Sequence, residues 1–251
     1  MKLIIWSLAI IVSAAAIAAG QGRQEKQNLK PAEQAYNTGL ERQAAGDLDG
    51  AIAAYTRALE LDPYYPEAFN NRGNARMSKG DLSGAVADFT QAIRFRPGGY
   101  EGYYNRGVAL LLQENYAAAL ADFSRSIEIK PRDFSAYNNR GSAYRGLRKM
   151  KEAIADYTKA IEIFPSPDAF YNRGVAHDEA GDKELAVADY TSAIKLNPKL
   201  ARAYANRGVI LLQEGKEAEA ERDFNTCFQL DGSLRPEFET YLKGVRAAKR
   251  H

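Results

Sequence analysis

The chain has 251 residues, 45% of them hydrophobic, which is enough apolar material for a packed core. Its 34 Lys+Arg against 32 Asp+Glu leave a formal net charge of +2, so it lacks the basic field that gathers nucleic acid. One cysteine, Cys227, excludes an internal disulfide and a thiolate-rich metal site, and two histidines, His177 and His251, are too few for most zinc or triad chemistry.

The first predicted element is residues 1–20. Lys2 precedes an apolar run over 3–12 and a small-residue stretch over 13–20, the pattern of a signal peptide. Ala16-Ile17-Ala18 and Ala18-Ala19-Gly20 both offer the small-x-small spacing that a signal peptidase reads. The alternative is an uncleaved signal anchor over residues 3–19, just long enough to span a bilayer. The expected location is therefore exported, periplasmic or secreted, with inner-membrane anchoring through 3–19 as the alternative. Membrane contact is expected only through an uncleaved N-terminus. Residues 21–31 are polar and read as a flexible leader.

From there the sequence repeats. Gly39, Gly73, Gly107, Gly141, Gly174 and Gly208 recur at intervals of 34, 34, 34, 33 and 34 residues. Each is followed by an alanine (Ala51, Ala85, Ala119, Ala153, Ala186, Ala220) and then by an aromatic ring (Tyr55, Phe89, Phe123, Tyr157, Tyr190, Phe224). Pro63, Pro97, Pro131, Pro165 and Pro198 close the first five units, and Gly232 stands in that place in the sixth. Each unit carries two apolar stripes at helical spacing around a polar break such as Lys79-Gly80-Asp81, so each reads as a helix hairpin ended by proline. Six glycines in register inside helices imply close approach, and the spacing sets Gly73 against Ala85. One hairpin cannot bury its apolar face, so stacking supplies the core.

These glycine, alanine, aromatic and proline positions resemble the tetratricopeptide repeat (TPR) family. The resemblance covers residues 32–232, in units 32–65, 66–99, 100–133, 134–166, 167–200 and 201–232. It implies an all-α, right-handed α-α superhelical solenoid of six helix-turn-helix repeats, with a concave surface lined by first helices. Beyond it, residues 233–251 read as a C-terminal capping helix, with Leu234, Phe238, Leu242 and Val245 on one face. The missing residue between Pro165 and Pro167 should tighten that inter-repeat turn.

Five repeats carry arginine just before the glycine: Arg72, Arg106, Arg140, Arg173 and Arg207. The same five carry aspartate before the aromatic: Asp88, Asp122, Asp156, Asp189 and Asp223. The first repeat has Thr38 and Ala54 there, lacking both. In an antiparallel hairpin the two positions lie at about one height, which predicts structural ion pairs within repeats, bidentate in form. Pairing across to the next repeat is sterically open but would leave Arg72 opposite Ala54 and Asp223 alone.

The candidate binding surface lies two and three residues before the glycines. Asparagine stands two before in every repeat: Asn37, Asn71, Asn105, Asn139, Asn172 and Asn206. Tyr36, Asn70, Tyr104, Asn138 and Tyr171 stand three before, and Asn74 follows Gly73. The resemblance places these side chains on the concave surface. Amides that donate and accept, set among aromatic rings, suit the mixed polarity of an extended peptide. Alternatively the asparagines bond neighbouring repeats and the tyrosines pack between first helices. The family's chaperone-tail carboxylate clamp is not expected, because Tyr36, Tyr104 and Tyr171 occupy its lysine-type places and only Arg145 and Arg202 are basic nearby. Glu33, Glu67, Glu101 and Asp168 begin helices and should make that rim acidic.

No phosphate loop, nucleophile elbow or HExxH helix occurs in the sequence. His177 has no second histidine or cysteine nearby, and Cys227 sits where other repeats have Ala58, Ala92 or Ala160. The expected function is a non-enzymatic protein–protein interaction scaffold with no cofactor and no metal. Its partner is a protein or peptide, with no nucleic acid. The alternative is a structural accessory subunit of a cell-envelope enzyme or secretion assembly that does not use the groove. Resemblance to exported bacterial adaptors of the family makes envelope proteins the implied partners.

Overall fold

The computed structural model describes residues 30–235. The expected export segment, almost all of the leader, and the expected capping helix from residue 236 onward lie outside the described residues. Among the described residues there are twelve α-helices, one short 3-10 turn and no strand. In chain order they are α1 (Pro31–Ala44), α2 (Leu48–Leu61), α3 (Pro66–Ser78), α4 (Leu82–Phe95), α5 (Tyr100–Leu112), α6 (Tyr116–Ile129), α7 (Phe134–Gly146), α8 (Met150–Ile163), α9 (Pro167–Ala180), α10 (Lys183–Leu196), α11 (Ala201–Gln213) and α12 (Glu217–Leu230). None is long and apolar enough to cross a membrane.

The chain forms two compact units that meet in sequence between Ala109 and Leu110, inside α5. In the first unit α1 pairs with α2, α3 pairs with α4, and α2 packs on α3. In the second, α7–α8, α9–α10 and α11–α12 are hairpins, and α6, α8 and α10 each pack on the helix that follows.

One closure recurs at every hairpin. The backbone N–H groups of Asp47, Asp81, Asn115, Lys149, Asp182 and Lys216 each donate to the carbonyl five residues earlier, at 2.9 Å. This satisfies a carbonyl that the helix end would otherwise leave unpaired, and it needs a left-handed residue just before the donor. Gly46, Gly80, Gly181 and Gly215 supply it at φ between 79° and 91°, while Glu114 and Arg148 hold φ 59° without glycine's freedom. Asp47 and Asp81 then cap the second helix by accepting from Gly50 N and Gly84 N, each at 2.9 Å. Prolines 63, 97, 131, 165 and 198 fall two residues past the ends of α2, α4, α6, α8 and α10. Residues 164–166 join α8 to α9, one fewer than 62–65, 96–99, 130–133 and 197–200.

The core is the repeat's small and aromatic positions. Ala51, Ala85, Ala119, Ala153, Ala186 and Ala220 are fully buried, as are Tyr55, Phe89, Phe123, Tyr157 and Tyr190. The spacing sets Gly73 against Ala85, but the glycine's close neighbour is instead the ring of its own repeat. A Cβ at Gly73 would lie 2.6 Å from Phe89 Cε1, and one at Gly39 would lie 2.4 Å from Tyr55 Cε1. The glycine is the seat of the ring, and packing this tight leaves no room for a methyl group. Three of the rings cluster with the following repeat, Phe89 with Ala109, Tyr157 with Ala176 and Tyr190 with Ile210.

Candidate functional site

The first helix of each repeat carries the candidate residues, and all of Tyr36, Asn37, Asn70, Asn71, Asn74, Tyr104, Asn105, Asn138, Asn139, Tyr171, Asn172 and Asn206 are half-buried. Eight of them form rungs between successive first helices. In the first unit Asn71 Nδ2 donates to Tyr36 Oη at 2.7 Å, and Asn105 Nδ2 donates to Asn70 Oδ1 at 3.0 Å. In the second, Asn172 Nδ2 donates to Asn138 Oδ1 at 3.1 Å and Asn206 Nδ2 to Tyr171 Oη at 3.2 Å. The asparagine two before the glycine therefore bonds the residue three before the preceding glycine. Each rung uses one amide proton, and Asn206 Nδ2 also reaches Tyr190 Oη at 3.5 Å; a side-chain amide carries a second proton and carbonyl lone pairs beyond a single rung. Burial raises the Tyr36 phenol pKa, helped by the charge of Glu67, while the bond from Asn71 pulls the other way.

A second row links the helices on another face. Arg72 Nε and Nη2 donate to the two Asp88 carboxylate oxygens at 3.0 and 2.7 Å. Arg140 holds Asp156 (2.7 and 2.8 Å), Arg173 holds Asp189 (2.8 and 2.7 Å), and Arg207 holds Asp223 (both 2.8 Å) by the same two-point grip. Asp88, Asp156, Asp189 and Asp223 are buried. Hydrogen bonds donated to Asp156 and Asp223 hold the Arg140 and Arg207 guanidinium groups above the ordinary arginine range. Arg106 in the first unit and Asp122 in the second both make interactions.

The third guanidinium nitrogen goes to a hydroxyl that the sequence reading missed. Arg72 Nη1 reaches Thr56 at 3.0 Å, Arg106 Thr90 at 3.1 Å, Arg140 Ser124 at 3.2 Å, Arg173 Thr158 at 3.0 Å and Arg207 Thr191 at 2.9 Å. Each hydroxyl follows the aromatic of the preceding repeat. Four arginines thus clasp an aspartate of their own repeat to a hydroxyl of the one before it. An aromatic three residues earlier covers the guanidinium, as with Arg72 over Phe69 (5.6 Å) and Arg140 over Tyr137 (5.4 Å). The signal lay in the sequence as hydroxyl residues in repeats one to five against arginines in repeats two to six, displaced by one repeat.

The rim is less acidic than its carboxylates imply. Glu67 pairs with Arg96, and Asp168 pairs with Arg202, whose guanidinium lies over the Tyr171 ring at 4.4 Å. Arg145 pairs with Glu179 at 3.1 Å. His177 is buried with its Nδ1 3.5 Å from Asp182, and Cys227 is fully buried, its thiol pKa raised by that burial. Among the described residues no group of three or more His, Cys, Asp and Glu side chains could hold a metal ion.

Models of the tetratricopeptide repeat match residues 70–134, 134–167, 167–200 and 201–233, and a TPR repeat model matches residues 39–77. No curated protein matches the sequence. Among solved structures, that of MamA protein is similar at 26% identity and TM-score 0.62, over 68% of this chain and 94% of that one. YrrB, described as a TPR protein with an unusual peptide-binding site, is 19% identical with TM-score 0.61, over 80% of this chain and 100% of its own. TTC0263, a thermophilic TPR protein of Thermus thermophilus, is 20% identical with TM-score 0.58, over 72% of this chain and 99% of its own. At those identities the last two speak for the fold alone.

Proposed function

The chain belongs to the tetratricopeptide repeat family, whose members are generally non-catalytic, and from that premise we propose a non-enzymatic scaffold that binds an extended peptide or partner protein along its first helices. The observation that supports this reading is the row of half-buried amides and phenols described above. Each rung fixes an amide in orientation while part of its donor and acceptor capacity stays open, and a pre-oriented polar row costs a ligand little ordering. YrrB, which shares the fold, is described by its peptide-binding site, and MamA shares the fold at higher identity.

A photo-crosslinker in place of Asn105 tests the proposal in cell-envelope extracts. Capture of a bound peptide or protein through that position supports it. Capture confined to positions on the second helices would instead favour an accessory subunit whose solenoid contributes only shape. We also propose that the chain is exported, on the strength of Lys2, the apolar run after it and the small residues before Gln21. The mass of the mature chain should place its first residue near 19 or 21, and a full-length mass would favour the anchored alternative.

A further inference from the structure

The hairpin turn between α7 and α8 differs in charge from every other. Residues 144–151 carry four cationic side chains (Arg145, Arg148, Lys149 and Lys151) and no anionic one. The corresponding windows 42–49, 76–83, 110–117, 177–184 and 211–218 have net charges between +1 and −3. The same turn borders an open pocket of about 410 Å³ in the second unit, lined in part by Tyr116, Ser142, Arg145, Arg148 and Glu179. Tyr116 forms one wall because its ring lies directly on Gly146, where a Cβ would come within 2.5 Å of it. The Arg145 charge is partly answered by Glu179 at 3.1 Å. Arg148, Lys149 and Lys151 are exposed and form no ion pair among the described residues. Arg148 stands at the left-handed position where four other turns have glycine, so a cation is held there although glycine would suit the backbone better.

We propose that this pocket is a subsite for a carboxylate side chain of the bound partner segment. The inference rests on the scaffold reading above and names an acidic residue as the chemistry it selects. Ser142 connects the two, because it lies on α7 four residues beyond the rung residue Asn138, so both sit on one face of that helix. A segment following the rungs therefore arrives at the pocket. The Ser142 hydroxyl there is already engaged, with Asn138 O at 3.2 Å and Tyr157 Oη at 3.1 Å. The guanidinium groups of Arg145 and Arg148 are the charged donors lining it, and their planar fork matches a carboxylate.

The test measures fluorescence anisotropy of the full mature chain with a labelled glutamate-containing peptide and with its glutamine twin. The glutamate peptide should bind about tenfold more tightly at low salt, and the advantage should shrink at high salt. Arg148→Gly restores the residue other turns use, so it should fold at least as stably while losing most of that advantage; Arg145→Gln should reduce it too. Lys216→Ala, at another turn of the same unit, should leave it intact. Equal affinity for the two peptides, an unchanged advantage in Arg148→Gly, or an equal loss in Lys216→Ala would overturn the proposal. So would inorganic phosphate binding at this turn without any preference for glutamate over glutamine. Crosslinking through Asn105 in the absence of that preference would retire the carboxylate subsite and leave the scaffold reading in place.

Discussion

Arg140 is about four-fifths buried and its partner Asp156 more so, with side-chain exposures of 19% and 9%, so the guanidinium depends on that carboxylate to answer its charge. Removing one partner leaves a buried charge uncompensated, and Asp156→Ala should cost about 3 kcal/mol in urea unfolding. Thr158→Val removes only the hydroxyl that Arg173 reaches in the preceding repeat, and should cost about 1 kcal/mol. Equal costs would contradict an ion pair at the centre of the clasp. The arginine and aspartate were legible in sequence because both vanish together in the first repeat. Thr56, Thr90, Ser124, Thr158 and Thr191 were not, since a hydroxyl on a helix surface is ordinary and only its one-repeat displacement from the arginines carries meaning. Likewise the asparagine row was visible, with bonding to neighbouring repeats as one alternative, but not that Asn71, Asn105, Asn172 and Asn206 select the preceding helix. That choice depends on how far one hairpin is displaced from the next, which spacing alone does not state.

At the level of the helix hairpin, the recurrent closure makes the left-handed residue decisive. Glu114 holds φ 59° without glycine's freedom, whereas Gly80 sits at φ 84° with nothing near its Cβ position. Glu114→Gly should therefore stabilise the protein, the relief of backbone strain slightly exceeding the added freedom of the unfolded chain, by about 0.5 kcal/mol. Gly80→Ala should destabilise it by about 1 kcal/mol, since the strain enters without a compensating contact. Paired thermal melts at one pH would show shifts of opposite sign, and shifts of the same sign would remove the closure as the cause. Helix ends were the easiest elements to read, because Pro63 and its equivalents cannot continue a helix. The closures at Glu114 and Arg148 were hidden, because the signature residue is absent and tertiary packing sets the turn. The seat of the ring was misassigned for a related reason: spacing shows that Gly73 needs a close neighbour but not that Phe89, rather than Ala85, supplies it.

Across the whole molecule, the interactions that hold each repeat within its unit are shared with the repeat beside it. The rings of Phe89, Tyr157 and Tyr190, the rungs and the clasps all reach the adjacent hairpin, so stability is collective and not a property of one hairpin. Tyrosines at these junctions make that testable by pH. Burial pushes the Tyr55 and Tyr65 phenols up to about 12, and raises those of Tyr36, Tyr157 and Tyr190 as well. An unfolded phenol titrates near about 10. A raised pKa in the folded state means that the proton is held more tightly there, so this contribution is complete below pH 10 and is lost as pH rises toward 12. Each ring that ionises releases a junction and loosens the hairpins on both sides of it. Exposed rings such as Tyr64 should ionise without loss of helix, whereas the last tyrosinate absorbance to develop above pH 10 should rise together with the loss of helical circular dichroism. If all the tyrosinate formed in the ordinary phenol range while helicity stayed constant, the junction rings would be solvated and the collective account of stability would fail with them.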